Sequence, residues 1–195
     1  VRVVAGGVEE SVFQPEWAPD GTQYFVSDRT NWWNFFVERD GKIEPVLPMD
    51  LEFGQPQWVF GVKIYGFEPS GWLLASYVDD GAWRLMRIDP STGKNHDLNL
   101  PITDVYNVVV GDGVAYAFVS FANRPDALAQ IDLSRGSLET IRLSSPVEPD
   151  PAYTSIPQSI EFPTEGGRTA HAFYYPPVNC DFRGPEGEAP PLLVM

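Results

Sequence analysis

The chain has 195 residues, enough to bury about 70% of its unfolded surface in a compact body. Its 19 prolines, 17 glycines and 13% aromatic residues favour many turns between short strands, so an almost all-β chain is expected. A formal charge of -14 with no basic cluster argues against a phosphate-backbone partner, and no apolar run approaches the ~18 residues of a membrane span; neither nucleic acid nor membrane is an expected partner.

Arg2-Val3-Val4-Ala5 reads as a strand that closes a preceding unit, and Gly6-Gly7 turns the chain into Ser11-Val12-Phe13-Gln14 and on to Trp17. Ala18-Pro19-Asp20-Gly21 cannot continue a ladder, because proline lacks a donor and glycine favours positive φ. A strand over Gln23-Tyr24-Phe25-Val26-Ser27 follows, then a Ser-Asp-Arg corner, a strand from Trp32-Trp33 to Val37, an Asp40-Gly41 hairpin and a strand to Val46. One unit is therefore four short antiparallel strands.

Gln55-Pro56-Gln57-Trp58 echoes Gln14-Pro15-Glu16-Trp17 and reads as the long first strand of a second unit, which continues through Tyr65, a Pro69-Ser70-Gly71 turn, Trp72 to Tyr77, Asp79-Asp80-Gly81 and Trp83 to Asp89. A third unit runs from Val105 through Gly111-Asp112-Gly113, Ala115 to Ser120, Ala127 to Asp132 and Leu138 to Ile141. The first-turn glycines 21, 71 and 113 recur at roughly 40–50 residues, the period of β-propeller blades. Blades of this WD40-like kind are predicted over 11–48, 55–100 and 102–144, a partial propeller, since about 4–8 blades close a ring.

The proline-rich stretch from Pro146 reads as a stiff linker over 146–158. Beyond it, over 159–195, Ser159-Ile160-Glu161-Phe162 and Thr169 to Tyr175 read as strands of a new sheet, ending in Leu192-Leu193-Val194-Met195. The opening on Val1 and the apolar end suggest a piece of a longer chain.

The single cysteine, Cys180, excludes an internal disulfide framework and fits a reducing compartment, with cytoplasm the expectation. His171 stands in an alternating strand and reads as structural; His96 reads as solvated loop, and Cys180 lacks a basic neighbour in sequence. Asp79-Asp80-Gly81 lacks the alternating acids of a calcium loop and reads as a hairpin corner. No metal site and no cofactor is expected. Most aromatic residues fill space between blades, but adjacent Trp32 and Trp33 on a strand would face opposite ways. One of that pair, with Trp58 or Phe60, is the candidate for an interdomain or substrate contact.

Trp17-Ala18-Pro19-Asp20-Gly21 followed by Tyr24-Phe25-Val26-Ser27-Asp28-Arg29 resembles the Trp-Ser-Pro-Asp-Gly repeat of TolB-like propellers and of the prolyl oligopeptidase superfamily, peptidase family S9. The run from Ile160 through His171 to Pro177, ending in Pro190-Pro191-Leu192-Leu193-Val194-Met195, resembles the crossing from propeller into α/β-hydrolase domain in the acylaminoacyl-peptidase and dipeptidyl aminopeptidase-like branch. The resemblance implies a cytosolic serine peptidase whose propeller gates access of short peptides to a Ser-His-Asp site. The chain carries neither the Gly-x-Ser-x-Gly elbow nor the His-Gly-Gly-Pro stretch of such enzymes, so no catalytic residue is assigned to it.

Two function classes follow. In one, the chain is the non-catalytic gate of a peptidase, meeting peptide substrates through a hydrolase domain beyond it; in the other, it is a TolB-like scaffold for protein binding. An open partial ring would expose sheet faces and edges at both ends, so self-association is expected.

Overall fold

In the computed structural model, which describes residues 1–195, the chain forms two compact units: 1–121 with 126–144, and 145–195 with 122–125. The first unit holds three four-stranded antiparallel sheets, each in simple up-and-down order. Sheet one comprises β1 (Val12–Trp17), β2 (Gln23–Ser27), β3 (Asn34–Arg39) and β4 (Lys42–Pro45). Sheet two comprises β5 (Tyr65–Phe67), β6 (Leu73–Asp79), β7 (Ala82–Ile88) and β8 (Asn95–Asp97), and sheet three β9 (Asp104–Val110), β10 (Val114–Ser120), β11 (Ala127–Asp132) and β12 (Ser137–Leu143). The fold is all-β, a partial propeller.

The turn chemistry acts as its residues require. The Ala18 N–H donates to Thr22 O at 2.9 Å and the Gly21 N–H to Ala18 O at 2.9 Å; in sheet two Glu68 N–H donates to Trp72 O at 2.7 Å and Gly71 N–H to Glu68 O at 2.9 Å. Asp40-Gly41 and Asp80-Gly81 place both central residues at positive φ (51° and 80°; 50° and 74°), the left-handed geometry of a two-residue hairpin.

Sheets stack through apolar faces. Phe13, Val26 and Phe35 of sheet one meet Tyr65, Leu73, Ala75 and Met86 of sheet two, around the fully buried Phe53 and Ile64. Leu74 and Leu85, on sheet two's other face, meet Val105, Ala115, Ala117, Ala129 and Ile131 of sheet three. A sheet with both faces covered reads as a continuous apolar run, as Leu73 to Ala75 does, whereas β10 alternates buried Ala115, Ala117 and Val119 with exposed Tyr116 and Phe118.

Four expectations are corrected. Arg2 to Ala5 is not a strand: Arg2 instead pairs with Glu38 at 3.0 Å, and the segment ends in an isolated bridge between Gly7 and Glu10. Residues 55–58 are not a strand either, and β5 has three residues, because the neighbouring sheet takes over its hydrogen bonds: the Gln14 side chain accepts from Ile64 N–H at 2.7 Å and donates to Tyr65 O at 2.9 Å. Trp32 and Trp33 precede β3, which starts at Asn34, so strand alternation does not govern them. The outward rings of sheet one, Phe25 and Phe36, are not open but 1% and 3% exposed, with the Arg29 guanidinium 5.7 and 4.8 Å from their centroids.

The second unit contains the hairpin β13 (Gln158–Pro163) and β14 (Thr169–Tyr174), joined through a single 3-10 turn at Glu165–Gly167. Ile160 and Phe162 lie opposite Ala172 and Ala170 on one face, yet they remain 39% and 45% exposed. No helix is long and apolar enough to cross a membrane.

Candidate functional site

The first strands of the three sheets converge. The Val108 N–H donates to Lys63 O at 2.9 Å, and the Tyr65 hydroxyl donates to Gln14 O at 2.7 Å, with Tyr24 O a second acceptor 3.2 Å from the same hydroxyl. Burial, reinforced by the nearby Glu16 charge, pushes the Tyr65 hydroxyl far above its ordinary range, so it remains a donor. Beside it opens a cleft of about 280 Å³ lined by Glu16, Trp17, Lys63, Gly66, Phe67 and Val110. Lys63 Nζ and Glu16 Oε1 stand 3.4 Å apart, both partly solvated. Such a cleft can receive a ligand but brings no nucleophile to a base.

Of the four aromatic candidates, the structure separates Trp33 from the rest. Its ring meets Phe13 edge-on at 6.4 Å, its N–H donates to Glu52 Oε2 at 3.0 Å, and its carbonyl accepts from Phe53 N–H at 2.8 Å. Trp33 is thus part of the packing between sheets one and two. Trp32 is half-buried in the corner before β3. Trp58 and Phe60 lie together in the loop before β5, 88% and 108% exposed.

The titratable residues singled out have ordinary surroundings. His171 Nδ1 lies 3.3 Å from Glu161 Oε1, its cross-strand neighbour on an exposed hairpin. His96 packs edge-on against Trp72 at 6.1 Å. Cys180 is exposed, its Sγ 3.6 Å from Asp181 Oδ1. Asp79 pairs with Ala82 across the hairpin corner and with Arg84 at 3.4 Å.

Two clusters escaped the sequence reading. Glu10 Oε1 accepts from Ser27 Oγ at 2.6 Å and from Arg29 Nε at 2.9 Å; desolvation acts to raise its pKa, but these bonds, with one from Gly6 N–H and the Arg29 charge, hold it below the usual carboxylate range. Glu68, 4% exposed, binds Arg87 through both oxygens, at 2.5 and 2.8 Å, while the Arg87 guanidinium lies 4.7 Å from the Trp72 ring centroid. Their signal in sequence is faint: an arginine beside an aromatic strand.

No protein-family model matches the chain, and no curated protein matches it. Solved structures do. The chain is similar to puromycin hydrolase, with 32% identity and a TM-score of 0.88 over 97% of its own length and 29% of that protein's. It is similar to a puromycin-hydrolyzing peptidase of Mycobacterium tuberculosis, with 29% identity, a TM-score of 0.89 and the same coverage. A prolyl endopeptidase shares the fold at 14% identity, with a TM-score of 0.64 over 88% of this chain and 25% of that one. The chain therefore spans less than a third of the length of these structures.

Proposed function

We propose a function from one premise: the chain belongs to the prolyl oligopeptidase family, of whose propeller it forms part. Residues 1–145 are the propeller segment, 146–158 a linker, and 159–195 the first strands of an α/β-hydrolase domain. The whole protein is a cytoplasmic serine peptidase of the acylaminoacyl-peptidase-like branch, with its Ser-His-Asp site beyond residue 195. The propeller segment contributes no chemistry; it restricts entry to short peptides.

The observation that carries this reading is the 97% coverage by puromycin hydrolase, which extends beyond the three sheets into the β13–β14 hairpin. A propeller serving purely as a scaffold has no use for that hairpin. Its apolar face, still half-open at Ile160 and Phe162, fits the edge of a larger sheet.

The test takes the full-length protein. A fluorophosphonate probe is expected to label a serine outside 1–195, and turnover of a series of peptides is expected to fall steeply with length. Absence of labelling and of turnover would refute the peptidase reading, and equal turnover of short peptides and folded proteins would refute the gate.

A further inference from the structure

The loop joining the first two sheets has a fixed base and a bare tip. On the outgoing side, Phe53 is fully buried and Gly54 lies against the Trp33 ring. The Gln57 amide then donates to Val12 O at 3.0 Å. On the return side, Ile64 is fully buried and its N–H bonds to Gln14 Oε1. Between these anchors stand Trp58, Val59 and Phe60, 88%, 65% and 108% exposed, before a left-handed turn at Gly61 (φ 81°).

Three consecutive solvated apolar side chains on a tethered loop mark an interaction surface. From Gly54 to Val62 no residue carries a charge, in a chain of net charge -14. The Gln57–Val12 bond sets this tip at the end of the sheets where β1 begins. The inner strands β1, β5 and β9 run side by side in the same direction, so Leu143, where the chain leaves β12, lies at that same end. The structures it resembles continue far beyond the length of this chain.

We propose that residues 58–60 form a plug seated in an apolar recess of the hydrolase body of the same polypeptide, fastening propeller to catalytic domain; this rests on the peptidase reading above. A permanent partner fits better than a passing peptide, because a substrate would leave the tip solvated between turnovers.

Hydrogen exchange on the full-length protein tests it. Amides of 58–61 are expected to exchange about 100-fold more slowly than those of an open loop. In the Trp58→Ala/Phe60→Ala variant that protection is expected to vanish, with protease cleavage within 146–158 accelerated about 10-fold. Exchange at open-loop rates in the wild-type protein would overturn the proposal, as would protection that appears only when a short peptide is added. A protected tip in a protein that hydrolyses no peptide would support the plug while sinking the peptidase reading.

Discussion

Gly54 offers a sharp test of how the first two sheets fit. A Cβ added there would stand 2.5, 2.6 and 2.6 Å from Trp33 Cδ2, Cε3 and Cγ, whereas carbon atoms rest about 3.5–4.0 Å apart. The ring must retreat by roughly 1 Å. It is poorly placed to do so, because its backbone is tied to Glu52 and Phe53 and its edge rests on buried Phe13. Forcing a methyl into such packing costs about 1–3 kcal/mol. If the ring instead swings out and exposes on the order of 100 Å² of apolar surface, the loss is ~2.5 kcal/mol. Both routes point to about 2–3 kcal/mol for Gly54→Ala, a fall of roughly 1 M in the urea midpoint of the sheet-bearing unit. In a Trp33→Leu background the same substitution is expected to cost less than about 0.5 kcal/mol, since its neighbour is gone. An unchanged midpoint in the single variant, or full additivity in the double one, would refute this account of the contact.

Two other outcomes follow from the geometry. Asp89 accepts from Ser91 Oγ at 2.6 Å, Thr92 Oγ1 at 2.7 Å and Ser91 N–H at 2.9 Å, which lowers its pKa from 3.8 to about 2. A pKa depressed on folding stabilises the turn fully above 3.8 and fades as pH falls through about 2; carboxyl carbon NMR should find that low midpoint, and Ser91→Ala/Thr92→Val should bring it back toward 3.8. On sheet three the outward rows Val109–Tyr116 and Tyr106–Phe118 expose Val109, Tyr116 and Phe118 by 57%, 39% and 42%. The isolated 195-residue chain should therefore sediment above its 21.7 kDa at micromolar concentration, Phe118→Glu should return it to that mass, and a wild-type monomer throughout would contradict the expectation.

Sequence showed most where a residue type has one geometric use. Pro19 with Gly21, and the pairs Asp40-Gly41 and Asp80-Gly81, located reversals that the chain makes there. The match of the Gly21 turn with the Gly71 turn holds, the two making the same pair of backbone bonds, but sheet two starts later than its sequence suggests: residues 55–58, which echo 14–17, form no strand. The front of β5 is displaced by a side-chain amide fifty residues earlier, at Gln14, which no local pattern encodes. Trp33 was ambiguous for the same cause: its burial depends on Gly54, a contact visible after the sheets are stacked. Nothing in the pattern distinguished it from Trp58, which no part of the first sheet covers.

The Gln14 amide has a mechanical consequence. Because it bonds to both an N–H and a C=O of the next sheet, it fixes vertical position to within a hydrogen-bond length, as a dowel does between two boards. Sheets two and three join instead through two backbone bonds, Val108 N–H to Lys63 O at 2.9 Å and Trp83 N–H to Thr103 O at 3.0 Å, and through apolar faces such as Gly66 on Val110. The first seam is accordingly locked by an amide and a phenol side chain and the second by main chain, so a point substitution can unlatch the one and leave the other closed.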